Sequence, residues 1–162
     1  MRTRRPIEEL EIVPPATGEL VDRMVLLTAA GDGWINVAPR SLEDPGPPPS
    51  LLAAMFGPSR STVTMCTWMP PGSGRRVGAG ATVGIAHPGG GTAVRRLASL
   101  GVPLPDGWRV RQDHVRRGLV VDTTSDAAHS DVIDWALRAG AALAPGPLTG
   151  RWLARVHLPV RS

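Results

Sequence analysis

The chain has 162 residues, a net charge of +4, 42% hydrophobic and 20% charged residues, a balance that suits one globular domain and excludes a disordered one. No apolar run approaches the ~20 residues of a membrane-spanning helix. A single cysteine, Cys66, excludes an internal disulfide and a cysteine-based metal cage.

Residues 1–16 carry Pro6, Pro14 and Pro15 with little periodicity and read as an extended arm. The arm starts basic, but Glu8, Glu9 and Glu11 stand where a signal peptide needs an apolar stretch, so the expected location is cytoplasmic. Thr17 is a candidate N-cap, and Leu20, Met24 and Leu27 recur at helical spacing up to Gly31, a residue suited to ending a helix. Asp32-Gly33 turns the chain into a strand, Trp34–Ala38, in which Ile35 and Val37 share a face. Residues 41–50 hold four prolines, three of them consecutive, and read as a stiff surface loop of polyproline character that also suits docking to an aromatic groove. A short helix over Leu51–Phe56 and a strand over Thr62–Trp68 follow.

From Ala81 the pattern becomes regular. A strand (Ala81–Ala86), a glycine-rich turn, a helix (Ala93–Leu100), two strands (Trp108–Asp113 and Leu119–Thr123), a helix from Ser130 to Ala144 and a strand (Arg151–Leu158) succeed one another. Gly140 weakens the second of these helices by about 1 kcal/mol relative to alanine. The order β-α-β-β-α-β over 81–158 predicts a ferredoxin-like core, an antiparallel sheet with helices on one face, extended by the N-terminal helix and strands. The whole of 1–162 is expected to form a single α+β domain. Asp-Gly-Trp follows a helix twice, at 32–34 and 106–108, and reads as a chance echo of two similar turns.

Chemistry-bearing residues are sparse. All 18 basic residues are arginine, a bias that fits base composition better than a guanidinium-specific function. Histidines 87, 114, 129 and 157 show no ligand-type spacing and fall at different ends of the expected sheet, so neither a metal nor a cofactor is expected. Arg75-Arg-Val-Gly-Ala-Gly80 spells the R-x-x-G-x-G element of acyl-CoA-dependent N-acetyltransferases. There, however, a helix follows at once and its dipole holds pyrophosphate, whereas here a strand follows.

Two surfaces remain. His87-Pro-Gly89-Gly90-Gly91-Thr92 joins a strand to a helix, where free backbone amides and the Thr92 hydroxyl could receive an anion. On the strands, alternation puts Arg109 and Arg111 on one face of theirs and Arg151 and Arg155 on one face of the last. If the apolar sets meet the helices, these four arginines flank Thr82, Gly84 and Ala86 on an open cationic face suited to phosphate or carboxylate. No paired catalytic groups stand at convincing spacing. The expected function is a non-catalytic binding or interaction module for an anionic ligand, a protein partner or a second copy. The alternatives are a small enzyme holding a phosphate-bearing ligand at 87–92 with His87 as acid–base, and a nucleic-acid binder using Arg2, Arg4, Arg5 and the sheet arginines.

Overall fold

The computed structural model describes residues 4–41, 64–72 and 80–160. In chain order the elements are β1 (Ile7–Ile12), α1 (Gly18–Ala30), β2 (Trp34–Ser41), β3 (Met65–Met69), β4 (Thr82–Ala86), α2 (Ala93–Ser99), β5 (Arg109–His114), β6 (Gly118–Asp122), α3 (His129–Ala142) and β7 (Leu148–His157). The expected helix over Leu51–Phe56, the proline-rich loop and most of the R-x-x-G-x-G stretch lie outside the described residues.

The strands form one seven-stranded sheet in the order β1-β7-β2-β3-β4-β6-β5, and every neighbouring pair is antiparallel. This departs from the ferredoxin-like expectation, which would seat the last strand beside β4. That place is taken by β3, the strand that precedes β4 in sequence, which pairs with it from Met65↔Ala86 to Met69↔Thr82. Sequential strands pair before distant ones because closing a short loop costs less entropy. β7 instead enters between β1 and β2, paired with both along most of its length. The sheet is therefore larger than expected, and its frame is two split β-α-β units. In β1-α1-β2 the gap between strands is filled by β7, and in β4-α2-β5 it is filled by β6. The two Asp-Gly-Trp turns occupy the same place in these two units.

The N-terminal arm is a strand, not a loose extension. Leu10 and Ile12 point into the core, and Glu8 on the same side is held bidentately by Arg23 of α1. Two inward apolar residues among three glutamates gave too weak an alternation to mark a strand.

The three helices among the described residues cover the same face of the sheet. The alternating residues Ile35 and Val37, Cys66 and Trp68, Val83 and Ile85, Leu119 and Val121, and Trp152, Ala154 and Val156 are at most 3% exposed and join Leu20, Met24 and Leu27 of α1 in one core. α1 begins after Thr17 and ends at Gly31, whose φ of 62° is the left-handed turn expected there. α3 starts at His129, one residue before the expected Ser130, and no side chain caps it. The indole N–H of Trp135 donates to Pro103 O at 3.0 Å and its ring meets Trp108 edge-on at 5.2 Å. No helix among the described residues is long and apolar enough to cross a membrane.

Gly140 explains how α3 gets close to the sheet. A Cβ there would stand 2.8 Å from Cys66 Sγ and 3.1 Å from the Trp152 ring. Cys66 is 2% exposed, its thiol donates to Ala136 O at 3.3 Å, and burial pushes its pKa up to about 12. A glycine that costs helix propensity is thus where helix and sheet touch. Gly140→Ala should gain about 1 kcal/mol of propensity and lose about 2 kcal/mol to overpacking, for a net fall in Tm of roughly 2–4 °C. A thermal melt showing a higher Tm for Gly140→Ala would contradict this contact.

Candidate functional site

The sheet has a second face, on which no helix among the described residues packs. The ladders align it into cross-sheet rows. The middle row reads Glu9, Arg155, Asn36, Thr67, Gly84, Val120 and Gln112 from β1 to β5. On one side of it lie Ile7, His157, Trp34, Met69, Thr82, Asp122 and Arg109; on the other lie Glu11, Leu153, Ala38, Met65 and Ala86. The centre of this face is uncharged, with small and apolar residues around the Asn36–Thr67 pair, and charge is confined to its two rims. A Cβ built on Gly84 finds Leu119 O, at 4.0 Å, as its nearest contact.

The four sheet arginines do share this face, two at each rim, as alternation predicts. Their environment is not a bare cationic trough. Arg155 donates to Glu9 at 2.9 Å and Arg151 to Glu11 at 2.7 Å. Arg111 sits at an irregularity between Val110 and Gln112, which turns its guanidinium onto Asp122 at 2.7–3.1 Å. Asp122 also accepts the Thr82 hydroxyl at 2.9 Å. Arg109 alone of the four has no carboxylate partner among the described residues. Four guanidiniums against three carboxylates leave the face close to neutral. Exposed ion pairs of this kind contribute ~0–1 kcal/mol each, so their partners can be exchanged at little cost.

A polar network lies in the sheet on the β2–β7 side of this face. Thr67 Oγ1 donates to Asn36 Oδ1 at 2.8 Å, and Asn36 Nδ2 lies 3.1 Å from His157 Nε2. An amide nitrogen only donates, so His157 Nε2 accepts and the imidazole is neutral. Burial first, then the Arg155 and Arg5 charges, holds its pKa below the usual histidine value. The ring stacks on Trp34 at 4.4 Å, and the Arg5 guanidinium lies 5.1 Å over the same indole while gripping Asp32. Trp34 is thus an aromatic on the helix-free face, but both of its own neighbours are already in place.

The His87–Thr92 loop is occupied by the protein itself. Asp113, on β5, accepts the backbone N–H groups of Ala93 and Val94 at 3.0 and 3.1 Å, the amides that open α2. Thr92 has φ 65° and makes no capping hydrogen bond, so the cap is supplied from a neighbouring strand and not by the residue that sequence suggests. His87 is 6% exposed, and its Nδ1 accepts the Gly89 N–H at 3.1 Å. Its proton therefore sits on the buried Nε2, which has no hydrogen-bond partner among the described residues. Burial holds its pKa down, with Asp113 opposing and Arg96 assisting. Gly89 lies under the Arg96 guanidinium, while Gly90 (φ 82°) and Gly91 complete a turn against Val115. The site residues thus separate into two places, one on each face of the sheet.

Asp113→Ala should leave two amides without an acceptor and cost about 1 kcal/mol, as loss of a cap does, read as a lower Tm. A melting temperature unchanged by Asp113→Ala would refute the cap. The histidines set the pH response. Burial holds the pKa of His87, His129 and His157 below that of a solvated histidine, so the unfolded chain takes up protons first as pH falls through ~6.5. Their contribution is whole above that pH and declines below it. Tm should drop from pH 7.5 to pH 5.0. His157→Phe, which keeps a ring on Trp34 but cannot titrate, should show a smaller drop than the parent chain; an equal drop would contradict a neutral, buried His157.

Comparison of the chain with protein-family models, with curated proteins and with solved structures gives no match.

Proposed function

We propose that the protein is a non-catalytic interaction module that docks a protein surface onto the helix-free face of its sheet. The observation that carries this reading is the composition of that face. Met65, Met69, Gly84, Ala86, Val120 and Leu153 give the middle of the face apolar surface around an internally satisfied Asn36–Thr67 pair, and exchangeable guanidinium–carboxylate pairs form the rim. An apolar centre with a charged rim is how protein–protein interfaces are built. The near-neutral charge balance disfavours a polyanion, whose affinity would come from cations free to displace counterions. The amides that a phosphate would use at the glycine loop are donated to Asp113, which favours the sheet face over the loop as the binding surface. The carboxylates on the face are each held by an arginine and His157 is held by Asn36, which supports binding over acid–base chemistry.

Gly84 offers a clean test because a Cβ there meets only Leu119 O, at 4.0 Å, among the described residues, and lies at the middle of the face. Gly84→Arg should leave the melting temperature within about 1 °C, since the change touches no packed neighbour. It should also abolish capture of partners from extracts of the source cells, with a tagged copy of the chain itself scored among them. Val25→Arg on the exposed side of α1 is the control and should bind as the parent does. If Gly84→Arg captures the same set as the parent chain, the binding surface lies elsewhere.

A further inference from the structure

The face has a charge pattern that is complementary to itself under one symmetry operation and not under the other. β3 is the central strand of the seven, so each rim is three strands from it. On one side the outermost strand, β1, bears Glu9 and Glu11, with Arg151 and Arg155 one strand in; on the other β5 bears Arg109 and Arg111, with Asp122 one strand in, so outer and inner strands carry opposite signs on the two sides. Two such faces can be stacked about a two-fold axis in only two aligned ways. An axis across the strands lays β1 on the partner's β1 and β5 on its β5, so glutamates face glutamates and arginines face arginines. An axis along β3 lays β1 on the partner's β5, so each acidic outer strand meets a basic one. Like charges in register cost several kcal/mol at a packed interface and steer partners apart, so electrostatics selects the second arrangement.

Steric features agree with that choice. With the axis along β3, Gly84 of one copy faces Asn36 of the other, and Ala86 faces Ala38. The smallest residues of β4 thus receive β2, the side of the face that Trp34 and its stacked neighbours raise. Met65 and Met69 lie on the axis and meet their own copies, and methionine adapts to such contacts. Seven strands about 4.8 Å apart and about five residues long give a patch of roughly 29 by 17 Å. That is about 500 Å² per copy in projection, about 1,000 Å² for the pair, which meets the lower limit of a specific interface.

From this we infer that the occupant of the helix-free face is a second copy of the chain, stacked sheet to sheet about a two-fold axis parallel to β3. The inference rests on the reading of this face as a docking surface and adds who the partner is.

Cysteine cross-linking tests it directly. The native Cys66 is buried and its thiol pKa is pushed up to about 12, so the parent chain is a silent background. Sheets stack about 10 Å apart, too far for a disulfide but within reach of a short bismaleimide. The full chain is expected at twice its mass of 17.1 kDa in native mass spectrometry and light scattering. Met65→Cys and Met69→Cys should each cross-link to itself in high yield, Gly84→Cys should not, and Gly84→Arg should be monomeric. Efficient self-linking of Gly84→Cys would assign the other axis and overturn the charge argument. A dimer that survives Gly84→Arg would place the interface off this face and overturn the inference together with the reading beneath it. A monomeric parent chain would overturn the second copy alone. If extract proteins are then still captured in a Gly84-dependent way, the docking reading stands with a different partner.

Discussion

Everything in this molecule depends on β7 having a neighbour on both sides. It is the last strand in the chain but the second in the sheet, with six paired residues against β1 and a longer ladder against β2. Without it, β1 has no partner at all, α1 loses the strand that Arg23 grips through Glu8, and Trp152 no longer defines how near α3 can come. The hydrogen-bond ladder is not itself a large net source of stability, because each bond replaces one to water. What β7 contributes is position. It brings Trp152, Ala154 and Val156 into the core in one stroke, and Arg151, Leu153 and Arg155 onto the other face.

The same strand decides the electrostatics of the helix-free face. Its two arginines meet Glu9 and Glu11 across the β1 ladder, and Arg111 meets Asp122 across the β5–β6 ladder, so charge is balanced strand by strand. Cross-strand ion pairs also protect the sheet margins. β1 presents glutamates, while β5 presents arginines and a break in its register, and such features discourage stray strand pairing at an edge. A face with an apolar middle between guarded margins is directed toward contacts through its surface and away from contacts through its edges.

How much of this was legible in the sequence follows from the range of each interaction. α1 and α3 are readable because Leu20, Met24 and Leu27, or Val132, Trp135 and Ala136, repeat within one helix. The faces of the arginines are readable too, since alternation is a property of one strand. Their partners are not, because Glu9 and Arg155 are separated by 146 positions and Glu11 and Arg151 by 140. Asp113 capping α2 is the same problem at shorter range: Thr92 has the right chemistry in the right place, and a carboxylate 20 positions away has the better geometry. Gly140 looked like a flaw in a helix until the sheet beneath it was known. The seating of β7 is the largest miss, since no local pattern records which strand a chain end will find.

That seating also has a bearing on how the protein is made. β1 leaves the ribosome about 140 residues ahead of the strand it needs. At ~5–20 residues per second, that is a wait on the order of ten seconds. During it, Leu10 and Ile12 have no ladder to join, while β2 has one edge bare. The β4-α2-β5-β6 unit, by contrast, carries its own gap-filling strand and can close as soon as it is synthesised. Synthesis therefore favours a late, single step in which the second half of the chain completes the first.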